Sequence, residues 1–198
     1  MEITSAKFIK GIMGTNPILD DGTPQIAFIG RSNAGKSSLL NSLTNSKKLA
    51  ITSDTPGRTR ELNIFLINES HYFVDLPGYG YAKMGKQTQD KLGKLISWYL
   101  FNSHHNPTVV LLIDSAVGPT VDDLEMLHEL EQAGRQIVVV VNKVDKIKKS
   151  QYQNQIKKLG EQIRGHKLFS YSSKTKVGIE ELRIRLLGHS DTKVLPRL

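Results

Sequence analysis

The chain has no cysteine in its 198 residues, which excludes a disulfide framework, a thiolate metal site and a prenylated C-terminus. It also lacks any apolar run near the ~20 residues that a membrane span requires. Met1-Glu2-Ile3-Thr4 has neither the basic nor the apolar region of a secretory leader, and Glu2 stands where N-myristoylation needs glycine. These absences predict a soluble, cytoplasmic protein without a membrane partner, and the length suits one domain with a sizeable core. An excess of positive charge is missing from most of the chain. Residues 1–142 hold 13 Lys+Arg against 14 Asp+Glu, whereas residues 143–198 hold 14 against 5. The net charge of +8 therefore belongs to the C-terminal end. Such asymmetry points to a polyanionic partner, although a solvated lysine-rich face is the plainer reading of the cluster taken alone.

Apolar, β-branched runs predict strands at 25–29, 61–67, 71–75, 109–114, 136–141 and 167–171. Helical spacing appears between most of them, at 90–101, after Thr120, at 150–163 and at 179–187. Thr120 is placed to cap its helix, with Asp122 and Asp123 in the first turn and Gly134 beyond the end. Asn68-Glu69-Ser70 is too short for a crossover helix, so 61–67 and 71–75 should form an antiparallel hairpin at a sheet edge. The predicted fold is α/β in three layers: a mostly parallel six-stranded sheet with one antiparallel edge strand and helices on both faces. Residues 1–24 read as an N-terminal extension, 25–187 as the domain and 188–198 as a loose tail.

Gly30-Arg31-Ser32-Asn33-Ala34-Gly35-Lys36-Ser37 fits G-x-x-x-x-G-K-[ST], and it follows a strand and opens a helix. Backbone N–H groups of such a loop converge on an anion, aided by the positive end of the helix. Lys36 should reach the outer phosphates of a nucleotide, and the Ser37 hydroxyl should ligate Mg²⁺. Asp75-Leu76-Pro77-Gly78 ends a strand beside that loop. Asp75 would hold Mg²⁺ through water, and the Gly78 N–H could sense the γ-phosphate. Asn142-Lys143-Val144-Asp145 follows another strand. A carboxylate at Asp145 can accept from guanine N1–H and the exocyclic amino group together, whereas adenine would leave it unpaired. Asn142 would tie this loop together, and the Lys143 stem would cover the base. Tyr171, Ser172 and Ser173 end the last strand and would offer N–H groups to guanine O6. A second protein ligand to Mg²⁺ is needed from residues 52–60, with Thr55 and Thr59 the candidates and Thr59 nearer the edge strand.

His104-His105 is read as a solvent-facing helix end in preference to a metal pair, because adjacent histidines on a helix point apart and no Cys, His or carboxylate partner stands at suitable spacing. Trp98 is read as core packing or partner contact.

The three segments Gly30–Ser37, Thr55-Pro56-Gly57-Arg58-Thr59-Arg60 and Asp75-Leu76-Pro77-Gly78-Tyr79-Gly80-Tyr81-Ala82 resemble the YihA/EngB (YsxC) ribosome-biogenesis GTP-binding proteins, in the translation-factor-like class of P-loop GTPases. The similarity covers roughly residues 5–187. It implies a GTPase that acts in assembly of the large ribosomal subunit and contacts rRNA. It also implies Mg²⁺ held by Ser37 and Thr59 and guanine read by Asn142–Asp145. The nucleotide-contacting set is then Gly30 through Ser38, that is Gly30, Arg31, Ser32, Asn33, Ala34, Gly35, Lys36, Ser37 and Ser38. To these are added Gly57, Arg58, Thr59, Arg60 and Glu61; Asp75, Leu76, Pro77 and Gly78; Asn142, Lys143, Val144 and Asp145; and Tyr171, Ser172 and Ser173. Lys36, Thr59 and Gly78 are the candidates for contact with the reacting phosphate. Tyr79 stands where many GTPases have a glutamine, which implies slow intrinsic turnover. Either K⁺ at Asn33 or Arg58 and Arg60 would then supply charge in the transition state. A monomer is expected, with no DNA partner. A signalling or trafficking GTPase, or an RNA-binding scaffold with negligible turnover, remains the alternative.

Overall fold

Along the strand Thr108–Asp114, Val109, Leu111 and Ile113 pack in one apolar cluster while Val110 and Leu112 pack in another. A strand buried on both faces lies inside a sheet covered on both sides. The structure is a computed structural model that describes residues 2–46, 48–50, 60–80, 85–163 and 165–188. In chain order its strands are β1 (Ala6–Ile12), β2 (Gln25–Gly30), β3 (Leu62–Ile67), β4 (His71–Asp75), β5 (Thr108–Asp114), β6 (Gln136–Asn142) and β7 (Leu168–Ser170). The helices are α1 (Lys36–Leu43), α2 (Lys86–Ser97), α3 (Val121–Gln132), α4 (Tyr152–Gln162) and α5 (Ile179–Leu187). The sheet order is β1-β3-β4-β2-β5-β6-β7. Parallel pairing runs from β4 through β2, β5 and β6 to β7, and the β3–β4 hairpin is antiparallel. Leu39, Leu40 and Leu43 of α1 and Leu182 and Leu186 of α5 cover one face. Leu95 and Ile96 of α2 and Leu127 and Leu130 of α3 cover the other.

The three-layer α/β architecture is as expected, with one strand more. Ala6–Ile12 pairs antiparallel with β3 and turns part of the expected extension into the sheet edge. Its sequence carries little period-2 signal, because the register shifts between Phe8 and Lys10 and Phe8 and Ile9 remain exposed. Asn68 fixes this edge. It sits in the left-handed region at φ 50°, and its Oδ1 accepts from the N–H groups of Thr4 at 2.8 Å and Ser5 at 3.1 Å.

The helix after Thr120 is capped by Thr120 as its sequence suggests, and the cap is reciprocal. Asp123 Oδ2 accepts from the Thr120 N–H at 2.8 Å, while the Thr120 side chain accepts from the Asp123 N–H. The α2 helix begins earlier than expected, at Lys86, and its last turn widens into a π-helical segment at Trp98–Asn102. His104 and His105 correct their reading. The chain is extended at Ser103 (φ −91°, ψ 160°), so the histidines lie beyond the helix and helical divergence does not separate them. Their ring centroids are 4.3 Å apart, and His105 is buried.

Arg183 of α5 is buried at 6% exposure and serves the C-terminal end of α1. It donates to the carbonyls of Ser42 (3.2 Å) and Leu43 (3.0 Å) and to Asn45 Oδ1 (2.8 Å), with Glu180 as counter-ion. A cation at the negative end of a helix is favourable, because the last carbonyls have no further helical turn to bond to. Arg183→Met keeps the apolar stem and removes the donor to the Leu43 carbonyl, while the Ser42 carbonyl keeps the Asn45 N–H at 3.3 Å. It should cost about 2 kcal/mol, read as a lower urea midpoint with an unchanged m value.

Candidate functional site

Four loops meet beyond the C-terminal ends of β2, β4, β6 and β7, the end at which open α/β sheets bind ligands. The loop from Gly30 to Gly35 is joined to the one after β4: the Ser32 N–H donates to Tyr79 O at 3.0 Å, and the Tyr79 N–H to Gly30 O at 3.4 Å. The Ala34 N–H donates back to Arg31 O, closing the turn. Gly35 has φ +97°, and a Cβ there would lie 2.2 Å from Asn142 Nδ2. This position takes only glycine, for backbone and for space.

Asn142 explains that closeness. It is fully buried, donates through Nδ2 to Ala34 O at 2.8 Å and accepts at Oδ1 from the Lys143 N–H at 2.7 Å. Lys143 adopts φ 63°, and its Nζ donates to Asn33 O at 2.6 Å and pairs with Asp114 Oδ2 at 2.7 Å. The loop after β6 is thus bonded to the first loop from two sides. Asp145 accepts at Oδ1 from the Ser172 hydroxyl at 2.6 Å, and the Ser172 Oγ accepts from the Thr175 N–H. The Val144 N–H donates to Tyr171 O at 3.2 Å, which docks the two loops, and Ser173 follows directly.

At the inner end of the site, Lys36 of α1 is hydrogen-bonded to Asp75 at the tip of β4. Their side chains are 10% and 4% exposed. Burial pushes the Asp75 carboxyl above its ordinary value, against the opposing pull of Lys36. Ser37 and Ser38 occupy the first turn of α1, Leu76 is buried, and Pro77 and Gly78 continue the loop. The structure therefore brings together 30–38, 75–78, 142–145 and 171–173. Gly57, Arg58 and Thr59, with Thr55, lie outside the described residues, as do Tyr81 and Ala82. Arg60 is exposed, and the Glu61 carboxylate packs against Gly11 of β1.

One residue escaped the sequence, and another gained a partner that the sequence does not show. Asp114 was legible in principle, as a carboxylate at the end of a parallel strand like Asp75, but no motif surrounds it. Tyr79 turns its hydroxyl to Asp123 Oδ1 of α3 at 2.7 Å. Burial and the carboxylates of α3 push the phenol far above its ordinary value, so it stays a neutral donor committed to that partner. The donor set fits a nucleotide with Mg²⁺: a glycine-shaped loop of backbone N–H groups, a lysine, a hydroxyl and a buried carboxylate, all hard oxygen ligands where a cation is concerned.

Comparison with known proteins agrees with this geometry. Residues 25–143 match the family described as 50S ribosome-binding GTPase. The chain is 44% identical over 185 residues to the EngB GTP-binding protein of Clostridium perfringens (strain 13 / Type A), covering 92% of this chain and 94% of that protein. It is 45% identical over 189 residues to the EngB protein of Chlorobaculum parvum, covering 94% and 97%. A crystal structure of an EngB GTP-binding protein superposes with a TM-score of 0.69 at 26% identity, covering 82% of this chain and 96% of that one.

Proposed function

Since the chain belongs to the EngB family of ribosome-associated GTPases and is a GTP-hydrolysing enzyme, we propose that it works with Mg²⁺ and acts in the cytoplasm in assembly of the large ribosomal subunit, by contact with rRNA. The observation that carries this reading is where the positive charge falls. Lys146, Lys148 and Lys149 follow the base-reading loop directly, Lys157 and Lys158 lie on α4, and all five are exposed. GTP needs local charge alone, so a basic face continuing away from the site calls for a larger polyanion. Arg164, the further cation expected in this cluster, lies outside the described residues.

The test is the salt dependence of binding to large ribosomal subunits with GTP bound. Each phosphate contact should contribute about 0.7–0.9 to the slope of log K against log salt. Neutralising Lys148, Lys157 and Lys158 together should flatten that slope by about 2 and leave GTP affinity unchanged. A slope equal to the parent's would return the cluster to a solvated face.

In this reading Gly30 to Ser38 cradle the phosphates. Lys36 would leave Asp75 for the β- and γ-phosphates, and Ser37, Thr59 and, through water, Asp75 would hold Mg²⁺, which when bound would supply positive charge against the transferred phosphoryl group. The Gly78 N–H is the γ-phosphate contact. Asn142 holds the base loop against the phosphate loop, while Asp145 and Ser173 address the base; the N–H groups of Tyr171 and Ser172, expected from the sequence to face guanine, are instead spent on Val141 O at 2.8 Å and Val177 O at 3.2 Å. Tyr79 supports slow intrinsic turnover, because a phenol spent on Asp123 cannot orient water. Asn33, exposed at φ 66° on the rim of the loop, is the residue that would hold K⁺ in place of an arginine finger. GTPase rates should then be higher in K⁺ than in Na⁺ at equal ionic strength, by about tenfold or more on the scale of arginine-finger effects, and Asn33→Ala should abolish the difference. Equal rates for the parent would leave Arg58, Arg60 or the ribosome as activator.

A further inference from the structure

We propose that Asp20, His104 and His105 form a binding site for a divalent transition-metal ion, with Zn²⁺ as the probe, separate from the nucleotide site. His104 Nε2 lies 2.8 Å from Asp20 Oδ1, and His105 Nδ1 lies 3.7 Å from the same oxygen. One potential ligand atom from each residue falls within 4.8 Å of the others. A surface ion pair between Asp20 and His104 would account for one imidazole. It does not account for a second, buried imidazole turned to the same carboxylate oxygen. Tetrahedral zinc with ligands at 2.0–2.2 Å requires ligand atoms about 3.3 Å apart, so small side-chain rotations convert the observed triangle into a coordination shell. Two imidazoles and a carboxylate are a set that suits zinc, whereas Mg²⁺ prefers oxygen alone.

The ligands are held in place before any ion arrives. Arg135 donates to the His105 carbonyl at 2.9 Å and to Asn106 Oδ1 at 3.1 Å, fixing the loop that carries both histidines. The His105 ring meets Trp98 edge-on at 83°. Asp20 ends a 3-10 turn between Leu19, which is 2% exposed, and Asp21, which accepts from the Tyr72 hydroxyl at 2.7 Å. A cavity of about 260 Å³ lined by Leu19, Asp20, His104 and His105 opens beside the triangle, leaving room for water as a fourth ligand. β2 and β5 begin next to it, at Gln25 and Thr108. The site therefore lies at the end of the parallel strands opposite the nucleotide loops. An ion here would clip the segment before β2 to the loop before β5.

The experiment is calorimetric titration of the full chain with Zn²⁺, with GDP and Mg²⁺ in saturating excess so that the nucleotide site is filled. One zinc should bind per chain, and the melting temperature should rise with zinc concentration. His104→Ala and Asp20→Asn, both at exposed positions, should each weaken zinc binding at least tenfold and abolish the thermal shift, with GDP affinity unchanged. Absence of stoichiometric binding overturns the proposal and leaves an ion pair. Binding of equal strength in both variants overturns it as well, by placing the zinc on other histidines.

Discussion

Asp145→Asn should turn the protein from a GTP binder into one that prefers xanthosine triphosphate. Asp145 already gives one oxygen to the Ser172 hydroxyl at 2.6 Å, a bond that an amide oxygen can keep, so the loop should hold its shape. The change falls on the base. Guanine presents two donors, N1–H and the 2-amino group, and a carboxylate answers both. Asparagine answers with a single acceptor and aims an N–H₂ at the amino group. Xanthine carries oxygen at C2 and accepts from that N–H₂. Leaving a charged-group contact unpaired should cost GTP at least ~3 kcal/mol, more than a hundredfold in Kd, while xanthosine triphosphate gains. Competition binding with both nucleotides measures the exchange. Undiminished GTP affinity would show that Asp145 does not read the base.

Lys36→Met should destabilise the nucleotide-free protein as strongly as it impairs phosphate binding. Asp75 is 3% exposed, and the mutation removes its paired cation. Breaking a buried pair from one side costs about 3–5 kcal/mol near neutral pH. The cost should depend on pH in a definite sense. The folded-state pKa of Asp75 is already raised by burial and lowered by Lys36, so losing the lysine raises it further. A group raised in the folded state has its stability intact below the unfolded value, about 3.9, and loses it as pH climbs through the folded value. Urea unfolding should therefore show a gap between parent and variant that is large at pH 7 and shrinks towards pH 4. Adding Asp75→Asn to Lys36→Met should recover most of the loss. A gap independent of pH would mean that Lys36 acts by packing.

The parallel core was legible because β2, β5 and β6 are apolar on both faces, and β2 and β6 also end in motif residues, so there one pattern gives both the strand and the candidate site. The candidate site was legible where chemistry forces a residue type: Gly35 by φ and space, Lys36 and Asp75 by charge, Asp145 by the guanine contact proposed for it. Three features were hidden for separate physical reasons. β1 hides behind a bulge and an exposed edge. Asp114 acts through Lys143, a contact between strand ends that no local pattern encodes. Asp20 and His104 are 84 residues apart, and their meeting depends on where the chain leaves α2, which helical periodicity reports poorly at its ends.

The clamp that Arg183 places on α1 also bears on the order in which the molecule can be made. The helix it secures is the first to leave the ribosome, and its partner emerges about 140 residues later. At ordinary elongation rates that interval is roughly 7–28 s. Until then the helix below the phosphate loop lacks the Arg183 clamp, although every residue proposed to contact phosphate has been synthesised once the chain has passed Gly78. Binding competence should arrive late and abruptly, with the closing helix. Nascent chains arrested before residue 183 should be protease-sensitive, and nucleotide should protect them far less than it protects the released protein.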